Sequence, residues 1–95
     1  MIPRNRPPTS PGVLLREEYL LPLGMTQGEL ASRMGVPLQR VNLLVNGKRA
    51  VTADTAVRLS AVLNTSAEMW MNLQVARDLW FARKAFKAAA KGDTR

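Results

Sequence analysis

The sequence predicts an all-α domain built from five helices, the last of them long. Three observations carry that reading. Apolar residues recur at helical spacing, with no strand-like alternation anywhere in the chain. Two capping boxes, Thr26-Gln27-Gly28-Glu29 and Thr65-Ser66-Ala67-Glu68, stand directly before apolar runs. Glycine and proline then fall where such runs stop, at Pro22 and Gly24, at Gly35 and Pro37, and at Gly47.

Residues 1–10 hold three prolines, two arginines and little apolar surface, and read as a flexible N-terminal arm. Pro11 suits a first helical turn, and Leu15 and Tyr19 share a face, so helix one is expected over residues 11–21, stopping before Pro22. Helix two starts at the Thr26 box, where the threonine oxygen and the Glu29 carboxylate each satisfy a free backbone N–H and Met25 can pack on Leu30. It ends at Gly35. Pro37 suits the first turn of helix three, which runs to about Asn46, with Gly47 able to take the left-handed closing conformation. Thr52 or Asp54 opens helix four, whose Ala56, Leu59, Ser60 and Leu63 recur at helical spacing. From the Thr65 box the chain runs without proline or glycine to Gly92. That fifth helix carries two stripes, Met69-Leu73-Ala76-Trp80 and Val75-Leu79-Ala82-Phe86, and a helix apolar on more than one side wants burial on more than one side.

Composition narrows the function classes. A chain of 95 residues, 46% hydrophobic, closes one core and invites a homodimer. With no cysteine and no histidine it lacks disulfides, the usual zinc ligands, a thiol nucleophile and the common general base. Its few acidic residues are scattered and no phosphate-loop spacing occurs, so neither an enzyme nor a metal or other cofactor is expected. The N-terminus has no apolar leader region, and no run of roughly 18 apolar residues could span a bilayer, so the chain reads as cytoplasmic. Fourteen basic against seven acidic residues, a formal charge of +7 and a pI near 11.2 suit a polyanion binder.

Position makes the charge informative. Gln27 to Gly47 reads as two helices joined by a short turn containing glycine, with the second shaped to enter the major groove of DNA: a helix-turn-helix. Ala31 stands where the helices cross closely, Gly35 supplies the positive φ of the turn, and Leu30, Met34, Val36, Val41 and Leu44 fall on the buried side. Helical geometry then turns Leu38, Gln39, Asn42 and Leu43 outward as candidate base readers. Gln39 and Asn42 can pair with both edge atoms of an adenine, and the leucines can contact thymine methyl groups. Thr26, Gln27, Arg40, Asn46, Lys48 and Arg49 are the candidate phosphate contacts. The expected organisation is an arm at 1–10, a DNA-binding domain at 11–64, a dimerisation helix at 65–90 and a tail at 91–95. Trp70, Leu73, Leu79, Trp80 and Phe86 are the candidate dimer contacts.

Through TQGELASRMG and the NGKR after helix three, the chain resembles the phage-repressor-like (lambda repressor-like) helix-turn-helix family. More narrowly it resembles the HigA family of antitoxins, through SPGVLLREEYLLPLGMTQGELASRMGVP, NGKRAVTADTAVRLSAVLNTSAEMWMNLQ and the RDLW ending at Trp80. It departs at Thr9-Ser10, where the family often has a histidine before Pro-Gly, and at Leu38, where many relatives have a polar residue. The resemblance implies a five-helix dimer that binds an inverted repeat in operator DNA, represses its own operon and neutralises a small basic mRNA-cleaving ribonuclease toxin of the HigB/RelE type. Glu17 and Glu18, with Tyr19 beside them, are where a basic toxin would dock; the alternative is that the two glutamates simply favour the helix and its solubility. The alternative for the whole chain is a stand-alone phage-type repressor without a toxin partner.

Overall fold

The computed structural model describes residues 6–93, with side chains described up to residue 90, and every regular element within that span is a helix. Helix α1 is continuous but not uniform: Pro11–Leu14 is α-helical, Leu15–Leu20 has π geometry and Leu21–Leu23 closes it. The others are α2 (Gln27–Met34), α3 (Leu38–Val45), α4 (Ala53–Leu63) and α5 (Ala67–Asp93). None of them is long and apolar enough to cross a membrane.

The helix starts follow side-chain chemistry. Ser10 accepts the Val13 N–H at 3.1 Å, so it belongs to the cap of α1 and not to a free arm. The arm reading for residues 1–5 lies outside the described residues. The Thr26 capping box is formed in both directions, Glu29 N–H to Thr26 Oγ1 at 3.0 Å and Thr26 N–H to Glu29 Oε1 at 3.2 Å. Thr52 caps α4 by accepting the Thr55 N–H.

Four boundaries differ from expectation. Helix α1 does not stop before Pro22: the Leu21 N–H reaches back to the Arg16 carbonyl, a five-residue step, and the chain stays helical to Leu23, where Gly24 ends it at φ 61°. In regular α geometry a proline ring meets the carbonyl four residues back, and the wide π turn replaces that spacing. Pro37 is the residue before α3 and not a member of its first turn. The fifth helix is capped one residue later than expected, with Ser66 Oγ accepting the Met69 N–H at 3.0 Å. Thr65 Oγ1 is engaged otherwise, accepting the Trp70 Nε1–H at 2.8 Å. Finally, residues 91–93 continue α5 where a tail was expected.

One core organises the domain. Leu15 and Leu20 of α1, Leu30, Ala31 and Met34 of α2, Val41, Leu44 and Val45 of α3, Val51, Ala56 and Leu59 around α4 and Trp70 of α5 are all buried. Trp70 is wholly buried and its ring lies 5.5 Å from that of Tyr19, which pins the start of α5 to α1. Only the first part of α5 has such support. From Phe81 to Ala90 every residue is exposed, and the helix stands out from the body of the fold, whose long dimension is 53 Å.

The close approach of α1 to α3 is set at Gly12. A Cβ there would lie 2.6 Å from the Val45 carbonyl oxygen and closer still to that of Leu44, and both obstacles are backbone. Gly12→Ala is therefore expected to destabilise the domain by about 1–3 kcal/mol through overpacking. Gly28→Ala, whose Cβ would meet only Thr26 Oγ1 at 3.9 Å, is expected to gain up to about 1 kcal/mol from helix propensity. Urea melts of the two variants beside the parent protein check the contrast.

Candidate nucleic-acid interface

The candidate interface is built where α2 and α3 cross. Ala31 is buried at the crossing, and Gly35, at φ 72°, closes α2 by donating to the Ala31 and Ser32 carbonyls. The Val36 N–H also reaches the Ala31 carbonyl, at 3.0 Å, so the turn is held from both residues. It is followed directly by Pro37, whose extended backbone launches α3 without a side-chain cap. The first N–H groups of α3 are thus unclaimed by any side chain, a positive helix end beside exposed residues.

Burial of Val41, Leu44 and Val45 on the core side leaves Leu38, Gln39 and Asn42 exposed, Leu38 by 55%. Leu43 is only half-buried and forms a shallow groove with Pro37, Gln39, Arg40 and Arg49. That groove brings Arg49, from the loop after α3, to the candidate base readers. Lys48 and Arg49 are both exposed on the loop after α3, and the loop begins with Gly47 donating to the Leu44 carbonyl and Lys48 to that of Leu43.

Several of the candidate residues are tied to one another. Asn42 Nδ2 donates to Gln27 Oε1 at 3.2 Å, and Asn46 Nδ2 donates to Asn42 Oδ1 at 3.3 Å. Gln27, Asn42 and Asn46 form a chain from the first turn of α2 to the end of α3, so Asn42 is braced on both sides of its amide. Thr26 has its hydroxyl oxygen engaged by the Glu29 N–H but keeps its own O–H to donate.

Arg40 is less free than its place among the candidate phosphate contacts suggests. It is half-buried and donates to Asp54 Oδ2 at 3.2 Å, while Arg58 donates to both oxygens of the same carboxylate and, through Nη1, to the Met34 carbonyl at 2.8 Å. Asp54 and Arg58 are thus part of the site although neither was expected there. Their spacing of four on one helix was the available signal. The hydrogen bond from Arg58 lowers the pKa of Asp54 and outweighs the opposing desolvation, with the charge of Arg58 and the hydrogen bond and charge of Arg40 adding to it in that order. A folded value below the unfolded one means that this contribution is present at neutral pH and lost as pH falls through the lowered value.

The candidate dimer contacts divide. Trp70 is not one of them, because it is wholly inside the core of its own chain and its indole N–H is satisfied by Thr65. Leu73 is half-buried and packs on the same core. Leu79 and Phe86 are exposed, Phe86 by 74%, and Trp80 is half-buried beneath the Lys84 ammonium, 5.1 Å from its ring centroid. The acidic cluster divides as well. Glu18 is exposed, Glu17 is paired with Arg16 at 3.2 Å, and Tyr19 is half-buried against Trp70. Among the described residues, no three side chains of the metal-binding types come together.

Fold and site together define a DNA-binding protein of the helix-turn-helix class, and the helix-turn-helix family model matches residues 15–70, so the chain belongs to that family. Within it the chain falls with the HigA antitoxins. It is 42% identical over 87 residues to antitoxin HigA-1 of Vibrio cholerae, covering 92% of this chain and 82% of that one. Solved structures agree. That of the Pseudomonas aeruginosa antitoxin HigA with the higBA promoter superposes with a TM-score of 0.83 at 34% identity, over 93% of this chain and 96% of the other. Antitoxin GraA in complex with its operator gives 0.83 at 35% identity, over 100% and 96%.

The Asp54 cluster can be probed directly. In Arg58→Met the Asp54 carboxyl should titrate closer to its ordinary value, because its main hydrogen-bond donor is gone. An NMR pH titration of the Asp54 side-chain carboxyl carbon in both proteins checks this.

Proposed function

We propose that this chain is the antitoxin of a toxin–antitoxin pair, binding operator DNA as a dimer to repress its own operon and neutralising an mRNA-cleaving toxin. The observation that carries the DNA half is the exposed N-terminal end of α3, where Leu38, Gln39 and Asn42 project beside Arg49 while the opposite face of the same helix is core. Gln39 and Asn42 read base edges, with Leu38 and Leu43 against thymine methyl groups. Thr26, Gln27, Arg40, Asn46, Lys48 and Arg49 hold phosphates, Arg40 by exchanging Asp54 for a phosphate oxygen. Asn42 and Gln27 then act together, because one amide orients the other. The relatives solved with promoter or operator DNA support this assignment.

The dimer contact falls to Leu79, Trp80 and Phe86, the candidates that the core does not absorb. A two-fold dimer requires an inverted repeat, with half-sites about one helical turn apart or a multiple of it. For the toxin, which the likeness to HigA antitoxins supports, docking by charge at Glu17 and Glu18 keeps a basic ribonuclease away from the basic reading face.

The test uses one set of variants. Gln39→Ala or Asn42→Ala should cost roughly 1–3 kcal/mol on the operator and relax preference at one base pair per half-site. Lys48→Ala should weaken all duplexes alike and flatten the salt slope by about one for each phosphate that is no longer neutralised. Footprinting and salt-dependent anisotropy report both, and equal losses on operator and random DNA would refute the reader assignment. Phe86→Arg should shift the chain to monomer in sedimentation. When the neighbouring gene's product is co-expressed, growth should be rescued by the Gln39, Arg40, Asn42 triple alanine variant. Reversing charge at Glu17 and Glu18 should slow complex formation. Absence of any complex at micromolar concentration would leave a stand-alone repressor.

A further inference from the structure

The loop that carries Lys48 and Arg49 is tied to α3 at its start, where Gly47 and Lys48 donate to the Leu44 and Leu43 carbonyls, and is held at its far end from another helix. Residues 46–50 are all exposed, and the first buried residue after them is Val51. The Val51 N–H does not bond within the loop or to α4. It donates to Oε1 of Gln74, at 2.8 Å, across from the second turn of α5. Gln74 is half-buried and its amide is held at the other end, with Nε2 donating to Asp78 Oδ1 at 2.9 Å. One turn of α5 therefore fixes the end of the loop through a side chain that is itself oriented.

The same turn holds a second segment. Arg77 lies against the Phe81 ring, 5.2 Å to its centroid, and donates through Nη1 to the Pro8 carbonyl at 2.7 Å. Gln74, Arg77, Asp78 and Phe81 line one side of a cleft whose other side is Gly12, Lys48 and Arg49. The two cations therefore share a cleft with the turn of α5 that carries Gln74.

We propose that Gln74 is a positioning residue for DNA binding: by fixing the Val51 N–H it holds Lys48 and Arg49 where they meet phosphates. This rests on the reading of Lys48 and Arg49 as phosphate contacts. Preorganised cations lose less freedom on binding than cations on a loose loop, so the effect is on affinity for every duplex and not on base preference.

The experiment uses the full chain and a mixed-sequence duplex of about three helical turns, titrated by fluorescence anisotropy over a range of salt. Gln74→Met keeps the length of the side chain and removes the acceptor. It is expected to weaken binding about 3- to 10-fold, the worth of one hydrogen bond. It should also lower the slope of log affinity against log salt by about one or more per protomer, as the grip on phosphates loosens. Asp78→Ala, a surface change on a helix, frees only the far end of the amide and should give a smaller loss in the same direction. A structural role alone is excluded by the background: in Lys48→Ala/Arg49→Ala, Gln74→Met should have no further effect. Wild-type affinity and slope for Gln74→Met in a folded protein overturn the proposal, as does an equal loss in the Lys48→Ala/Arg49→Ala background. If Lys48→Ala/Arg49→Ala itself leaves duplex binding unchanged, the phosphate reading of the loop falls instead, and the role of Gln74 falls with it.

Discussion

An eight-residue helix does not hold together in water, and the whole fold follows from the need to support one. Helix α3 has no capping side chain, and its stability is borrowed from Val41, Leu44 and Val45, which are buried among α1, α2 and the loop before α4. That demand explains the small residues around it. Ala31 lets α2 approach, Gly12 lets α1 approach until backbone meets backbone, and Gly35 turns the chain sharply enough to put the two helices side by side. Because packing claims one face so fully, the other face is left to chemistry.

That chemistry is more interconnected than a set of independent contacts. Asn42 is held between Gln27 and Asn46, and Arg40 shares Asp54 with Arg58, which in turn binds the last carbonyl of α2. These are exposed bonds of modest individual worth. Their effect is directional. Each reduces the number of arrangements a side chain samples before a ligand arrives, and the Asp54 carboxylate offers Arg40 a partner that a phosphate oxygen can replace without stranding a buried charge.

Much of this was legible in the residue order, wherever the signal is local. The Thr26 box, the Gly35 turn and the buried set of α2 and α3 depend on neighbours within one or two turns, and all stand in the structure as the pattern suggests. What was not legible depends on distant partners. The choice between Thr65 and Ser66 as cap was decided by the Trp70 indole claiming one hydroxyl. Trp70 looked like interface because its helix is apolar on two sides, and only Tyr19, far earlier in the chain, shows that its side faces inward. Pro22 stopped a helix on paper that π geometry carries through. Nothing local singles out Gly12, which marks a crossing, and nothing near Gln74 in sequence announces the Val51 amide.

The outer part of α5 has a consequence of its own. Ten exposed residues, Phe81 to Ala90, extend roughly 15 Å at the α-helical rise, beyond the part of the helix that the core supports. A surface so placed bears no responsibility for keeping the domain folded. Substitutions there change whom the protein meets without touching whether it folds, so the assembly can diversify quickly while the DNA-facing half stays under the tight steric rule of its crossings. Evolution has in effect been handed two separate dials.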